Sequence, residues 1–401
     1  EEDALSKVQK YLHRQGIDRL SPIARKVERE GTPNRRNVVL VFMESMSANL
    51  MGTFGSDKKL TPYLDSLYQQ SLSFSHFYSS GIHTNHGIYS TLYSFPAIMK
   101  RNAMKGSVIP VYSGLPTVLQ ENGYCNLFFM TNESQYDNMN AFLRTNGFDE
   151  IYAQENYPSE KVVNSFGVQD DFMYQYALPI LNERAGTGNP FFSVLLSISN
   201  HPPYVIPPYF HPHSDVLEEQ IVEYADWSIR QFMQAAEKQP WFDNTIFVFL
   251  GDHGKMVGTP ECEMPQSYNH IPLMIYGKDI KPGVYDGFGG QVDVSPTLLG
   301  LLNISYLQNN FGVNLLEEER PCMFFTADNL IGARDSVNMF IYSPDSQQEF
   351  KYKLEEGKLH AATGTDEEAF RNLKDYCFSM LQSTESLVKE HKTLDKVSVK
   401  K

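Results

Sequence analysis

The chain has 401 residues, 41% of them hydrophobic and 20% charged, and carries a formal net charge of −14. That composition supports one large globular domain, or a large and a small one, and excludes a disordered chain. The acidic balance excludes a nucleic-acid binder, which needs a basic surface against phosphates, and no apolar run approaches the roughly 20 residues that span a bilayer.

In chain order, the polar stretch from Ala4 to Glu30 reads as a helical lead, within a juxtamembrane segment at 1–36. The sequence opens at Glu1 without a Met or a signal-like run, so a targeting or membrane portion is expected upstream. An apolar run at 37–44 reads as a buried strand, and Thr61-Pro62 opens a helix through Gln70, with proline suited to the first helical position. Strand-like residues Ser73 to Tyr78 precede a helix around Gly87 to Tyr93. A helix from Leu115 to Asn122 leads into a strand from Tyr124 to Met130, and 191–199 is a further buried strand. The loop at 200–214 is rich in proline and histidine and is expected to lie irregularly over the sheet edge. An amphipathic helix at 218–237, the strand Thr245 to Leu250, the strand Pro272 to Tyr276 and a helix at 292–302 complete the series. This alternation predicts an α/β domain over 37–319, with a mostly parallel sheet covered by helices on both faces.

From Arg320 the pattern changes to short strands at Met323 to Thr326, Met339 to Tyr342 and Phe350 to Leu354, followed by a polar helix from Glu367 to Lys389. Residues 320–401 are therefore expected to form a small α+β subdomain with an antiparallel sheet. Cys125, Cys262, Cys322 and Cys377 are scattered without CxxC spacing and read as thiols rather than a disulfide framework. Lys100, Arg101 and Lys105 read as a solvated basic loop.

The chemistry concentrates where strands end on polar residues. Thr245 to Leu250 stops in Gly251-Asp252-His253-Gly254, and the 37–43 run stops on Glu44. Buried parallel strands deliver such terminal residues to one crevice at their carboxyl ends. Glu44, Asp252 and His253 are thereby candidate metal ligands. Thr84, in Gly81-Ile82-His83-Thr84-Asn85-His86-Gly87 ahead of a helix, is either a helix cap or a nucleophile. A threonine hydroxyl needs activation. Metal coordination lowers the pKa of bound water from about 15.7 to roughly 7 on zinc, worth on the order of 10 kcal/mol. The nucleophile and the metal therefore stand or fall together.

The order of these features resembles the alkaline phosphatase superfamily: Glu44, Thr84, Asn200-His201-Pro202-Pro203-Tyr204, Gly251-Asp252-His253-Gly254, His270-Ile271-Pro272-Leu273 and Asp293-Val294-Ser295-Pro296-Thr297-Leu298-Leu299. Over roughly 37–305 the chain is similar to the sulfatase-like branch that holds lipoteichoic acid synthases and other phosphoglycerol or phosphoethanolamine transferases. The resemblance implies that Glu44, Thr84, Asp252 and His253 hold one divalent cation, Mn2+ first, with Zn2+ or Mg2+ as alternatives. It implies that Thr84 attacks the phosphorus of a phospholipid headgroup and that a glycan or glycerol-type acceptor takes the group from phosphothreonine. His201 corresponds to a histidine that contacts substrate phosphate or protonates the leaving group, and His270 is a weaker candidate for the same role. The implied setting is the extracytoplasmic face of a bacterial cytoplasmic membrane.

Two departures sharpen the expectation. Thr84 is followed by Asn85, His86 and Gly87, not by the Cys/Ser-x-Pro-x-Arg context that makes formylglycine, which argues against sulfate ester hydrolysis. The His, Trp and Arg with which phosphoglycerol-transferring relatives meet their substrate are missing from Thr131 to Met139. There Asn132 and Asp137, with Arg144 as the nearest cation, are the candidate substrate contacts, and Asp137 would favour an ethanolamine ammonium over a bare phosphate. Asp293 heads the 292–302 helix and reads as its cap. A metal-dependent phosphodiesterase, phosphatase or sulfatase-like hydrolase and a non-catalytic binding protein are the alternative functions.

Overall fold

The computed structural model describes residues 2–17, 22–363 and 367–394. Eight strands form the central sheet, in the order Gly283–Gly290, Leu72–Tyr78, Leu273–Tyr276, Thr245–Gly251, Asn37–Met43, Phe191–Leu196, Cys125–Phe129 and Glu150–Tyr152. Only Leu273–Tyr276 runs against its neighbours. The architecture is therefore the mostly parallel α/β sheet that the alternation of strands and helices predicts.

Every residue of Asn37–Met43 and of Thr245–Gly251 is buried, because helices cover both sheet faces. Val38, Leu40 and Phe42 enter one core with Ile246, Val248 and Leu250, whereas Val39, Val41 and Met43 enter the other with Phe247 and Phe249. That split follows the two-residue period of a strand. Helices Thr84–Tyr93, Leu115–Glu121 and Val294–Leu301 pack their apolar residues into the first core; Pro62–Gln70, Asp170–Ala185 and Leu217–Ala236 pack into the second.

The C-terminal part is a five-stranded antiparallel sheet, Met323–Thr326, Ile331–Arg334, Asn338–Ser343, Gln348–Glu355 and Lys358–Ala361, backed by helix Glu367–Lys389. Phe370, Leu373 and Cys377 of that helix join the first core, so the subdomain is fused to the main one. The border drawn at 319/320 is crossed by a buried ion pair, in which the Arg320 guanidinium donates to Asp293 at 2.7 Å and 2.6 Å. Asp293 also accepts from the Gly290 N–H at 2.9 Å, anchoring the turn that opens helix Val294–Leu301.

The lead is not one helix from Ala4 to Glu30. Its helix, Glu2–Tyr11, ends well before Gly16, where φ is +75° and an added Cβ would sit 2.6 Å from the Pro22 carbonyl oxygen. The chain turns there and returns as strand Arg25–Val27, antiparallel to Tyr306–Gln308. Glu2–Tyr11 instead packs on the C-terminal helix, with Lys7 Nζ 2.6 Å from Asp375 Oδ1. All four cysteines are free thiols, Cys322 and Cys377 buried and Cys125 and Cys262 partly so.

Candidate metal centre

Strand register builds the site. Met43 pairs with Gly251, so the next residues, Glu44 and Asp252, leave the sheet side by side. Each of Glu44, Asp252 and His253 offers a ligand atom, all within 4.8 Å of one another. His253 Nδ1 lies 2.6 Å from the Gly254 carbonyl, which only accepts, so the ring proton sits on Nδ1 and Nε2 faces the carboxylates. Nε2 is 3.6 Å from Glu44 Oε1 and 3.5 Å from Asp252 Oδ2.

Helix Thr84–Tyr93 brings the hydroxyl. Gly87 lets it lie against the Asp252 turn, since a Cβ there would meet the Asp252 carbonyl oxygen at 2.2 Å. The cap position falls on His83, and the Thr84 Oγ1 lies instead 2.8 Å from Asp252 Oδ2, to which it donates, and 3.1 Å from Glu44 Oε2. The reading of Thr84 as a helix cap therefore has no support in this geometry.

Backbone and side-chain donors fix both acids. The Ser45 N–H and the His253 N–H donate to Asp252 Oδ1 at 2.9 Å and 2.7 Å, and the Ser45 hydroxyl donates to Glu44 Oε1 at 2.8 Å. Gln291 Nε2 donates to the Asp252 carbonyl at 2.7 Å, holding the turn from behind. Burial first, and then the like charge of Asp252, push the Glu44 carboxyl well above the usual carboxylate range. Two buried carboxylates and an imidazole facing one point fit a divalent cation, which would relieve the repulsion that raises Glu44.

This geometry carries a pH prediction. In the metal-free protein Glu44 keeps its proton above its unfolded value of about 4.3, so its contribution to stability is full below that pH and is lost as pH rises through its raised native value. A cation competes with that proton. The rise in melting temperature on adding Mn2+ is therefore expected to be larger near pH 8 than near pH 5.5, and an equal rise at both would contradict the assignment.

A cavity of about 270 Å³ opens in front of Thr84 and His253, lined also by Asn132, Tyr136, Asp137, Phe166 and His201. His201 Nδ1 donates to the Pro202 carbonyl at 2.6 Å and its ring lies 4.1 Å from Phe166, leaving Nε2 for the cavity. Asp137 Oδ2 is 3.4 Å from Asn85 Nδ2, next to Thr84, and its Oδ1 is 3.6 Å from Lys105 Nζ. Lys100, Arg101 and Lys105 are otherwise exposed, as expected of a solvated loop.

Two candidates fall elsewhere. Arg144 lies on helix Met139–Thr145, whose Met139, Phe142 and Leu143 are buried, so Arg144 points outward, with Nε 3.0 Å from Asn140 Oδ1. His270 is a packing residue. Its ring stacks on Tyr78 at 5.3 Å, Nε2 donates to the Ser75 carbonyl at 2.8 Å, and burial pushes its pKa down to about 4. Asn85 and Asn200 lie inside motifs that the sequence singles out, without a role that the sequence assigns them. Lys255 follows such a motif directly, whereas for Ser45 and Gln291 the signal is three-dimensional.

Fold and site together define an α/β protein with a candidate metal centre at the carboxyl ends of two neighbouring parallel strands and a hydroxyl set into it. The chain belongs to the sulfatase family, whose profile matches residues 36–304. It is 26% identical over 324 residues to a lipoteichoic acid synthase-like protein of Bacillus subtilis, covering 72% of this chain and 51% of that one. It is 24% identical over 390 residues to the lipoteichoic acid synthase of Staphylococcus aureus, covering 85% and 56%. The chain thus spans about half the length of the curated relatives it matches. Among solved structures, a protein in the alkaline phosphatase superfamily from Vibrio parahaemolyticus superposes with a TM-score of 0.88 at 26% identity, covering 98% of this chain and 97% of that one. A lipoteichoic acid synthase from Listeria monocytogenes superposes at 0.77 and 21%, covering 96% and 98%, and shares the fold. No helix among the described residues is long and apolar enough to cross a membrane.

Proposed function

We propose that this chain is a metal-dependent transferase that moves a phosphoglycerol or phosphoethanolamine group from a phospholipid to an acceptor hydroxyl through phosphothreonine at Thr84. The observation that carries the reading is the Thr84 hydroxyl, which points at both acids of the candidate metal centre. The bound cation, Mn2+ first, would act as a Lewis acid for the hydroxyl and for phosphoryl oxygen.

The residues then divide the work. As Thr84 Oγ1 bonds to phosphorus, its proton passes to solvent in the cavity, because Asp252 Oδ2, 2.8 Å away, is among the atoms that would hold the cation. The bond from phosphorus to the diacylglycerol oxygen breaks, and His201 in its protonated form supplies the leaving oxygen with a proton from Nε2. In the second half the acceptor hydroxyl attacks the same phosphorus, its proton goes to His201, and the Thr84 oxygen leaves and regains its proton. Because the donor is a lipid headgroup, the domain would work at a membrane surface, on the extracytoplasmic face of a bacterial cytoplasmic membrane. Replacing the acceptor by water turns the same chemistry into hydrolysis.

Asp137 favours phosphoethanolamine as the group carried. A carboxylate in the cavity wall, with the rings of Tyr136 and Phe166 beside it, suits an ammonium, which would take the place of Lys105 Nζ at 3.6 Å from Oδ1. Labelled phosphatidylethanolamine and phosphatidylglycerol, offered together with a glycerol or glycan acceptor, test this. The expected result is transfer with preference for the ethanolamine lipid, and a fall in that preference of up to about fivefold in Asp137→Asn, equivalent to one weak ion pair of up to about 1 kcal/mol. Release into water alone, with no transfer to any acceptor, would sink the transferase reading in favour of a hydrolase.

A further inference from the structure

Lys255 lies two residues beyond His253 and outside the cavity lining. Its ammonium meets neutral partners: Nζ donates to Asn200 Oδ1 at 2.6 Å and sits 5.3 Å from the centre of the Tyr204 ring. With the amide oxygen of Asn200 facing that ammonium, Nδ2 faces the other way. It donates to the carbonyls of Glu44 at 3.1 Å and Ser45 at 3.3 Å. The Lys255 backbone is fastened as well, since its N–H donates to the Ser47 hydroxyl at 2.8 Å and that hydroxyl donates to the Lys255 carbonyl at 3.0 Å.

Between these fastenings Ser45 has φ of 51°, a left-handed conformation that residues other than glycine rarely adopt and that persists only where the surroundings hold it. That conformation is what turns the Ser45 N–H onto Asp252 and the Ser45 hydroxyl onto Glu44. The chain of contacts runs from Lys255 to Asn200, from Asn200 to the Ser45 turn, and from the turn to both acids. It also reaches His201, the residue after Asn200, which faces the cavity.

We propose that Lys255 is a positioning residue of the metal centre: through Asn200 it holds the left-handed turn at Ser45, and with it the aim of Glu44 and Asp252. The inference rests on Glu44, Asp252 and His253 holding a divalent cation, as proposed above. A role for Lys255 through charge alone has the opposite sign, because removing a cation near Glu44 lessens repulsion of an incoming metal and tightens binding.

Calorimetric titration of the metal-stripped protein with Mn2+ separates these, with thermal melting to establish that each variant is folded. Lys255→Met and Asn200→Ala are each expected to weaken Mn2+ by about 10-fold or more, the scale on which loss of a supporting contact acts on a metal site. The double variant is expected to lose no more than either alone, because both act through one contact chain. Lys255→Arg, which keeps a donor within reach of Asn200, is expected to recover part of the loss. Should Lys255→Met fail to fold, Asn200→Ala and Lys255→Arg carry the same test. Wild-type affinity or tighter binding in Lys255→Met, or additive losses in the double variant, would overturn the proposal. A wild type that binds Mn2+ no better than Glu44→Ala does would instead remove the metal reading, and the proposal with it.

Discussion

Thr84→Ala is expected to lower lipid turnover on the order of 10⁴-fold or more, the scale seen when a covalent nucleophile is removed. The reason is geometric. The Oγ1 lies 2.8 Å and 3.1 Å from the acids of the candidate metal centre, and among the described residues no other hydroxyl of the cavity is held between both. Mn2+ binding should suffer far less, because Glu44, Asp252 and His253 remain. Thr84→Ser keeps the hydroxyl and should keep measurable turnover. Steady-state rates on labelled lipid with calorimetry of Mn2+ on the same samples check both statements, and full activity in Thr84→Ala would refute the nucleophile assignment.

Glu44→Gln should act in opposite directions on stability and on function. Glu44 is buried beside Asp252, and its raised pKa records the cost of ionising there. In the metal-free protein the substitution removes that repulsion, so the variant should melt higher than wild type near pH 8. It also removes a proposed ligand, so Mn2+ affinity should fall by more than the roughly 10–100-fold that loss of a supporting residue costs, and turnover with it. Melting curves with and without Mn2+ check both halves. A variant that is less stable without metal yet still stabilised by Mn2+ would mean that Glu44 is structural. Such a trade of stability for function is common at active sites.

Much of this was legible in the sequence, for identifiable reasons. Strands Asn37–Met43 and Thr245–Gly251 are continuous apolar runs because both sheet faces are covered, and their ends carry Glu44 and Asp252. Strand Gly283–Gly290 carries no strand signal in the sequence, because its four glycines and partial exposure leave no apolar pattern. Helix Asp170–Ala185 is equally silent in the sequence, since it contains Pro179 and has no strong apolar stripe. Within the site, register is the missing information. Only the pairing of Met43 with Gly251 shows that two acids more than 200 positions apart are neighbours, and that pairing is absent from local pattern. Arg144 is a sequence candidate as the nearest cation to the 131–139 segment, and His270 as the head of a motif in the family resemblance. The direction of each side chain, set by the buried face of a helix for Arg144 and by stacking on Tyr78 for His270, takes them away from the site.

The central claim is that Thr84 carries the transferred group. Wild-type protein incubated with Mn2+ and phosphatidylethanolamine or phosphatidylglycerol, without acceptor, should accumulate an adduct, and peptide mass spectrometry should place it on Thr84 and show none in Thr84→Ala. Turnover proceeding with no adduct at any time, or with the adduct on another residue, would contradict the account.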